Sequence, residues 1–446
     1  MKVTYIGGGS LGIISQMRDL LTWDELPDKV EFALYDRSIE RASAVASFVR
    51  QSPEYRRASN VTIEVVESLE ASLENADYVT VIVCPWSAER GYESERVCLE
   101  HNFLGSDNVS QSGPFLALRG GPLVLDIARR MERVAPQGRM IIFTNPIATL
   151  AAVVNRATSI PAIGICGGQA NHCYDLSRIM GWQKMRFDFE VEVAGTNHIS
   201  WIKTLRLDGE DFFPKFNARL AEGMDYSLML PQSMLPHFQY TFPKMIEAYQ
   251  KFDALLFSTE GDGLPHLHYY HEAVEKSREG YRAPRNPNAG QERHKQITDF
   301  LEMSKQVPES AWTDMNWTLE DPKLSTANLV IKGLSGSQPV DVTISYSNNG
   351  AVFGFADDDV TEYTAHLANG VITPKACHKL PPATVGVTQA IVESQMLTAD
   401  AIIHEDSRRF LQSFYAYPLA RDSDNVDSLY AKMIEINKPE IPGWVS

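Results

Sequence analysis

The chain has 446 residues, 44% of them hydrophobic and 22% charged, a balance typical of globular proteins. Its length predicts two interlocked domains. A formal net charge of −16 at pH 7 argues against nucleic acid or anionic membranes as partners, because both are bound through basic patches. No apolar run approaches the ~18 residues of a membrane helix. The 5 sparse cysteines and the absence of a secretory signal before the first strand favour a cytoplasmic location.

In the first third of the chain, short β-rich runs alternate with amphipathic helical stretches. The predicted strands are Lys2–Ile6, Val30–Tyr35, Val61–Val66, Tyr78–Cys84, Arg139–Thr144 and Ala162–Cys166. Most are nearly continuous apolar runs, as expected of parallel strands covered by helices on both faces. Between them, a helix is predicted over Gly120–Ala135. The alternation predicts an α/β fold with a Rossmann-type doubly wound sheet over residues 1–186.

Residues 187–446 have a different pattern, which predicts a second, α+β domain for substrate binding, catalysis and oligomerisation. An extended run over Glu190–Leu207 leads into a hairpin turn, and helical sequence follows to about Lys251. The remaining predictions are a long loop over Gly280–Glu292, strands over Leu329–Tyr346 and Val360–Leu367, and one long helix over Ala383–Tyr415.

A glycine-rich motif, GGGSLG, occupies residues 7–12 between the first strand and a helical stretch. In the G-x-G-x-x-G pattern, Gly7 permits the tight turn, Gly9 lets the backbone approach a pyrophosphate, and Gly12 lets the helix pack on the strand. Asp36 ends the second strand, where a carboxylate binds ribose hydroxyls and repels a 2′-phosphate. The motif therefore favours NAD over NADP, although Arg37 leaves NADP open. The predicted cofactor-binding residues are Gly7, Gly9, Ser10, Leu11, Gly12, Asp36, Arg37 and Asn145.

Three polar residues follow or adjoin later strands. Asn145 lies where ligands of open α/β sheets bind, and is a candidate for the nicotinamide ribose or a substrate hydroxyl; the alternative is an Asn-Pro turn that starts a helix. Cys166 and His198 offer a thiolate and an imidazole, which suit a transition metal with coordination positions left for substrate hydroxyls. Their spacing leaves open whether they meet. A strand-end cysteine is more often a core residue, and residues 172–173 (His-Cys) compete for the role.

Several further segments fall in a recognisable order. They are YIGGGS at 5–10, LALR at 116–119, TNP at 144–146, GIC at 164–166, AGTNH at 194–198, NNG at 348–350 and YPL at 417–419. In this order the chain resembles, almost end to end, glycoside hydrolase family 4, the NAD- and divalent-metal-dependent glycosidases related to lactate and malate dehydrogenases. The resemblance implies a homodimer or homotetramer.

The resemblance also implies a mechanism unlike the two-carboxylate scheme of most glycosidases. NAD takes hydride from C3 of the sugar, and a metal held by Cys166 and His198, with manganese preferred, polarises the resulting ketone. A base then removes the C2 proton, the aglycone leaves by elimination, water adds, and the hydride returns. The implied reaction is net hydrolysis of a small glycoside, with 6-phosphorylated sugars among the candidate substrates.

The sequence departs from the family pattern at the acid and at the base. Many members carry a polar residue directly after the metal cysteine, whereas this chain has Gly167, so a leaving-group acid must come from elsewhere, with residues 171–172 as candidates. By the resemblance, His266 occupies the position of a base, and an imidazole is a competent base near neutral pH. Asp262, Tyr269 and Tyr270 are alternative catalytic residues. A histidine-rich surface loop is the alternative without a catalytic role.

Three arginines are candidates for binding an anionic group of the substrate. Arg90 lies in a stretch that resembles a family motif, and Arg119 and Arg293 are further candidates. A guanidinium grips phosphate and carboxylate alike, so these residues do not separate a 6-phosphosugar from a uronic acid, and surface salt bridges explain each arginine equally well. Asn145 and Asn197 complete the predicted substrate-binding set.

Two other functions fit the same sequence. A sugar or hydroxy-acid dehydrogenase would use His198 as an acid/base residue and accumulate reduced cofactor. A non-catalytic NAD-binding regulator would explain the altered acid and base positions, Gly167 above all.

Overall fold

A computed structural model describes residues 1–167, 176, 180, 189–223, 235–257, 263–279, 288–313, 325–419 and 423–446. The predicted domain boundary after residue 186 lies outside these residues. So do Asp262 and the candidate positions 171–173.

The first 167 residues form six strands and the helices that connect them. The strands are β1 (Lys2–Ile6), β2 (Val30–Tyr35), β3 (Val61–Val65), β4 (Tyr78–Val81), β5 (Arg139–Ile142) and β6 (Ala162–Gly164). The helices are α1 (Ile13–Leu20), α2 (Ile39–Arg50), α3 (Pro53–Arg57), α4 (Leu69–Leu73), α5 (Ala88–Glu100), α6 (Ser112–Val134) and α7 (Ile147–Ala157). All six predicted strands are confirmed, with carboxyl ends up to three residues shorter than predicted.

These six strands are parallel and lie in the order β3-β2-β1-β4-β5-β6. The chain therefore reverses its direction of winding between β1 and β4, where Rossmann-type sheets bind their ligands. Ile6 at the end of β1 pairs with Tyr35 of β2 and with Val81 of β4, so the carboxyl ends of these strands are level. The predicted doubly wound sheet is confirmed.

The rest of the described chain supplies seven more strands and nine α-helices. The strands are β7 (Phe189–Thr196), β8 (Ile199–Leu207), β9 (Glu210–Asp211), β10 (Leu255–Leu256), β11 (Val340–Ser347), β12 (Val360–Ala368) and β13 (Val371–Pro374). The helices are α8 (Phe212–Glu222), α9 (Leu235–Phe252), α10 (Pro265–His268), α11 (Tyr270–Arg278), α12 (Ala289–Met303), α13 (Thr326–Ser335), α14 (Val385–His404), α15 (Ser407–Ala416) and α16 (Ser423–Asn437). None of the described helices is long and apolar enough to cross a membrane.

Both parts of the chain contribute to one sheet. Within the described residues it has 13 strands, in the order β10-β8-β7-β12-β11-β6-β5-β4-β1-β2-β3, with β13 beside β12 and β9 beside β8. The parallel and antiparallel parts join where Ser345 of β11 pairs with Gly164 of β6. Cys166, just after β6, therefore lies beside the antiparallel part, which carries His198.

The strand predicted over Leu329–Tyr346 is wrong in its first half. Residues 326–335 form α13, and β11 begins only at residue 340. The buried apolar residues of α13 are Ala327, Val330, Ile331 and Leu334, a spacing that places them on one face of a helix. The β-branched Val330 and Ile331 suit a strand, but burial of that face against the sheet decides the structure.

The single helix predicted over Ala383–Tyr415 is also wrong, because it is two helices. Glu405 takes the left-handed conformation (φ +53°) and ends α14. The Asp406 side chain then accepts hydrogen bonds from the backbone N–H groups of Arg408 and Arg409, which caps the amino end of α15. An aspartate followed by helical sequence is a start signal that was available in the sequence.

Two shorter predictions had mixed outcomes. The hairpin turn after Leu207 is confirmed, because Leu207 pairs with Glu210 of β9. The loop over Gly280–Glu292 is wrong at its end, because α12 already begins at Ala289.

Candidate active site at the carboxyl edge of the sheet

The glycine-rich loop after β1 folds tightly against the ends of the neighbouring strands. Gly7 has φ +93°, and a Cβ atom there would lie 2.2 Å from the carbonyl oxygen of Ile82. The backbone N–H groups of Gly7 and Gly8 both donate to the carbonyl oxygen of Tyr35 at 2.9 Å, and Ser10 N donates to Gly7 O at 2.8 Å. Only glycine satisfies both the conformation and the space at position 7.

The other two motif glycines differ in their surroundings. A Cβ atom on Gly9 would lie 3.0 Å from the Asp36 Oδ2 atom, so this backbone is in close contact with the carboxylate. A Cβ atom on Gly12 would meet nothing closer than Ile82 Cδ1 at 3.7 Å, an ordinary contact. The predicted packing role of Gly12 is therefore wrong. Gly12 instead precedes α1 and is exposed beside the half-buried Leu11, which leaves the amino end of the helix accessible to an anion.

Asp36 lies at the end of β2 and holds the loop in place. Its Oδ2 atom accepts a hydrogen bond from Gly9 N and its Oδ1 atom accepts one from Ser38 N, both at 2.9 Å. A carboxylate has about four lone-pair sites, so each oxygen retains capacity for a ribose hydroxyl. Arg37 is exposed. The loop, the open helix end and the carboxylate fit a dinucleotide.

Asn145 follows β5 at the same edge. The Thr144 hydroxyl donates to Val83 O at 2.9 Å and accepts from Val83 N at 3.0 Å, which joins the ends of β4 and β5. The Asn145 Nδ2 atom donates to Asp107 Oδ2 at 2.9 Å. Asp107 belongs to the polar loop before α6 and was not predicted from the sequence.

The structure brings Cys166 and His198 together. Cys166 is half-buried just after β6, and His198 is buried, with 8% of its surface exposed. The Cys166 Sγ and His198 Nε2 atoms are 3.8 Å apart. Two ligands of one tetrahedral zinc centre, with zinc–sulfur and zinc–nitrogen bonds of about 2.3 and 2.0 Å, lie about 3.5 Å apart. The pair therefore fits a shared metal ion.

His198 lies at the tip of a tight hairpin. Thr196 pairs with Ile199, so Asn197 and His198 alone connect β7 to β8. The extended run predicted over Glu190–Leu207 is therefore two strands. His198 takes the left-handed conformation (φ +69°), which costs a residue other than glycine about 1–3 kcal/mol and concentrates at functional sites.

A buried asparagine adjoins the imidazole of His198. The Asn108 Nδ2 atom lies 3.3 Å from His198 Nε2, and a metal ion bound at that nitrogen would use the lone pair that this contact occupies. Its Oδ1 atom accepts from Ile147 N at 3.3 Å, and its carbonyl oxygen accepts from Gln395 Nε2 at 3.1 Å. Asn108 was not predicted from the sequence; the available signal was a run of polar residues directly before a long apolar helix.

The described part of the chain contains no group of three or more His, Cys, Asp or Glu side chains that could hold a metal ion. A metal ion held by the cysteine–histidine pair would take its remaining ligands from water, from sugar hydroxyls or from residues outside the described part of the chain. A site with open positions is what Lewis-acid catalysis needs. The competing residues 172–173 lie outside the described residues.

His266 belongs to a buried group that we call the histidine–tyrosine cluster, formed by His266, Tyr270 and Tyr417. His266 is 5% exposed, its Nδ1 atom lies 3.2 Å from Gly263 O, and its Nε2 atom hydrogen-bonds the Tyr417 hydroxyl. The Tyr270 hydroxyl lies 3.5 Å from that of Tyr417 and accepts from Leu104 N at 2.9 Å. Burial raises the pKa of Tyr270 above its ordinary value. The alternative of a histidine-rich surface loop is wrong for His266.

The cluster contacts the β7–β8 hairpin that carries His198. A Cβ atom on Gly263 would lie 1.9 Å from the carbonyl oxygen of His198, so the backbones are in contact. Asn108, Gln395 and Tyr417 also line one cavity. The structure thus connects the predicted base to the predicted metal ligand through Gly263 on one side and Asn108 on the other.

Two of the three candidate arginines converge. Arg90 donates to Glu93 Oε2 at 2.6 Å and to Glu440 Oε1 at 3.4 Å. The Arg119 Nε atom lies 3.4 Å from Glu440 Oε2, and the Arg119 side chain is 2% exposed. Burial lowers the pKa of Arg119 to about 10, with Glu440 opposing the shift and Arg90 adding to it. None of its side-chain nitrogens has a hydrogen-bond partner among the described residues.

The last two predicted substrate residues lie elsewhere. Arg293 is exposed on α12, away from the contacts described above. Asn197 is 2% exposed, and its Nδ2 atom donates to Glu362 Oε2 at 2.8 Å, between β7 and β12. Their substrate roles stay predictions.

The doubly wound sheet, with the glycine loop and the cysteine–histidine pair at its carboxyl edge, defines a Rossmann-type fold with a candidate cofactor site. Residues 2–181 match the family model described as family 4 glycosyl hydrolase, and residues 193–420 match that of the family's C-terminal domain. The chain belongs to family 4 of the glycosyl hydrolases.

Relatives match this chain over nearly its whole length. An alpha-galactosidase of Bacillus subtilis (strain 168) is 24% identical over 409 residues, which is 90% of this chain and 89% of that protein. An alpha-galacturonidase of the same organism is 24% identical over 451 residues, 98% and 97% of the two chains. A 6-phospho-beta-glucosidase of Thermotoga maritima, solved with manganese, NAD+ and glucose-6-phosphate, has a TM-score of 0.77 at 18% identity over 99% of each chain. The structural likeness shows a shared fold.

Proposed function

We propose that the protein is an NAD- and manganese-dependent glycosidase. In this proposal a small glycoside is oxidised at C3, loses its C2 proton, eliminates the aglycone, adds water and is reduced again. The observation that carries it is the 3.8 Å approach of Cys166 Sγ to His198 Nε2 at the edge that also holds the glycine loop. Family membership favours hydrolysis over the dehydrogenase and regulator alternatives.

Each part of the site has a role in this chemistry. Bound NAD supplies a hydride acceptor and donor, and manganese supplies a Lewis acid. The loop at residues 7–12 and Asp36 hold the dinucleotide, with ribose hydroxyls donating to the carboxylate. Asn145 holds the nicotinamide ribose or a sugar hydroxyl, with its amide oriented by Asp107. Cys166 and His198 would hold the cation, which would polarise the sugar oxygen at C3.

His266 is our choice for the base that takes the C2 proton. Its Nε2 atom is hydrogen-bonded to Tyr417, so the proton reaches His266 directly or through that hydroxyl. Tyr270 is less suited, because its raised pKa disfavours the phenolate that a base requires. Asp262 remains an alternative. Since Gly167 offers no acid, either another residue protonates the leaving group or substrates with good leaving groups suit the enzyme best.

Arg90 and Arg119 are our choice for binding an anionic group on the sugar. The Glu440 carboxylate, which lies 3.4 Å from each of them, occupies the same guanidinium groups. Their two positive charges face the carboxylates of Glu93 and Glu440. An incoming phosphate or uronate therefore competes with these carboxylates for the two guanidinium groups. Arg90 lies on α5, which follows β4, and β4 is two strands from β6, after which Cys166 follows.

Replacing Glu440 with glutamine is expected to lower KM for an anionic glycoside about fivefold, equivalent to about 1 kcal/mol for a partly exposed charge pair. KM for a neutral glycoside should stay unchanged. Steady-state kinetics on both substrates measures the effect, and Glu100→Gln, which removes the partner of Arg96 on α5, is the control. An equal effect on both substrates, or none, would remove the arginine pair from substrate binding.

We also propose a cytoplasmic homodimer or homotetramer. The assembly follows from the family resemblance. Three cysteines of the described residues, Cys84, Cys98 and Cys377, form no disulfide, which supports a reducing compartment.

Turnover of nitrophenyl glycosides tests the function. Neutral, 6-phosphorylated and uronic sugars would be incubated with NAD, manganese and a reductant. We expect nitrophenol from one sugar class, dependent on both NAD and manganese. Steady NADH accumulation without nitrophenol would establish a dehydrogenase instead, and silence with intact NAD binding would favour the regulator.

A further inference from the structure

A buried carboxylate, Glu362, lies next to the β7–β8 turn that carries His198. Glu362 is on β12, opposite Gly195 of β7 in the sheet register, and is 4% exposed. It accepts hydrogen bonds from Asn197 Nδ2 at 2.8 Å and from Ser200 Oγ at 2.6 Å. Neither donor is a cation. A buried carboxylate held by neutral donors is costly to desolvate, so its position calls for a specific reason.

The two donors lie on either side of His198 in the chain. Asn197 is the other residue of the two-residue turn, and Ser200 follows at the start of β8. His198 itself holds the unfavourable left-handed conformation, which persists only where the surroundings fix it. The two hydrogen bonds to Glu362 fix both sides of this turn to β12.

A second, uncharged set of contacts also holds the turn, at Thr196 and at the imidazole of His198. Thr196 Oγ1 donates to Gln395 Oε1 at 3.2 Å, and Gln395 Nε2 donates to Asn108 O at 3.1 Å. Asn108 in turn contacts His198 Nε2. Glu362 differs from these residues because it adds a full negative charge next to the turn that carries the metal ligand.

We infer that Glu362 is a positioning residue of the metal site. It holds the turn in the conformation that aims His198 Nε2 at Cys166 Sγ, and its buried charge favours a cation there. The inference rests on the proposed function, because it concerns the proposed metal pair. Residues that orient metal ligands typically change metal affinity about 10–100-fold when they are replaced.

Glu362→Gln removes the charge of the side chain and keeps its size and shape. The glutamine amide can donate to Asn197 Oδ1, which is buried without a hydrogen-bond partner in the described residues, once the Asn197 amide turns over. We therefore expect a folded protein whose dissociation constant for Mn²⁺ rises about tenfold or more. The free-ion electron paramagnetic resonance signal measures Mn²⁺ binding in the presence of NAD, without turnover. Glu132→Gln is the matched control, because Glu132 accepts two hydrogen bonds from Ser159 at the opposite end of the sheet.

Asn197→Ala provides a second route to the same answer. It frees the turn while it keeps the Glu362 charge, so it should also weaken Mn²⁺ binding, and the two losses should not add in the double variant. Wild-type affinity in Glu362→Gln, or strictly additive losses, would overturn the inference. If Glu362→Gln does not fold, wild-type affinity in Asn197→Ala would do so.

Cys166→Ser separates this inference from the proposed function. If Cys166→Ser binds Mn²⁺ as the wild type does, the proposed metal site itself is wrong. If Cys166→Ser loses Mn²⁺ while Glu362→Gln keeps it, only the role of Glu362 is wrong. Thermal unfolding of the metal-free variants checks that each is folded.

Discussion

Replacing Cys166 with serine is expected to lower metal-dependent turnover about a thousandfold while NAD binding stays unchanged. A serine hydroxyl remains neutral and binds a transition metal poorly, whereas a thiolate is a strong ligand. Lewis-acid catalysis contributes several kcal/mol, and a loss of about 4 kcal/mol corresponds to about a thousandfold in rate. The measurement is kcat on the active glycoside at saturating manganese, with NAD affinity determined by calorimetry.

Cys377→Ser is the matched control for this experiment, because Cys377 is an exposed thiol on the antiparallel part of the chain. It should retain wild-type turnover. Full activity in Cys166→Ser would remove Cys166 from the metal site and leave the 3.8 Å contact with His198 as ordinary packing. A loss of NAD affinity equal to the loss of turnover would indicate a damaged sheet edge instead.

Replacing His266 with alanine is expected to slow exchange of the substrate C2 proton with solvent at least about a hundredfold, the usual contribution of a positioned base. Hydride transfer at C3 should persist, because the nucleotide loop and the metal pair remain. Exchange is followed by nuclear magnetic resonance in deuterated water. His266→Gln fills the same buried space and controls for collapse of the cluster.

Tyr417→Phe shows how the proton reaches His266. The variant removes the hydroxyl bonded to His266 Nε2, so it should reproduce the His266→Ala loss if the proton passes through Tyr417. Near-normal exchange in Tyr417→Phe would indicate direct transfer to the imidazole. Wild-type exchange in His266→Ala would transfer the base role to Asp262 or Tyr270.

The parallel part of the fold was predictable because its signals are local. Its strands are apolar runs separated by turn residues, and the glycine loop and Asp36 follow two of them at fixed spacing. Strand ends were predicted too long where apolar residues continue past the sheet, as at Tyr78–Cys84, where β4 stops at Val81. Cys166 and His198 were predicted as a pair through the family resemblance, and their distance needed the structure.

The surroundings of the site were not predictable, because they join distant parts of the chain. Glu362 is 165 residues from Asn197, and Glu440 is 350 residues from Arg90. No periodicity or spacing in one sequence links such positions. Pairing of β12 with β7 brings the first two together, and packing of α16 against α5 places the segment after it beside Arg90. Long-range packing thus determines which polar residues support the metal ligand and which oppose an anionic substrate.

The most direct test of the central claim is hydrolysis of the active glycoside in deuterated water, with the released sugar examined at C2. Oxidation at C3 followed by loss of the C2 proton predicts deuterium at C2 in the product and no net accumulation of NADH. Product formed at the full rate with only protium at C2 would contradict the elimination mechanism.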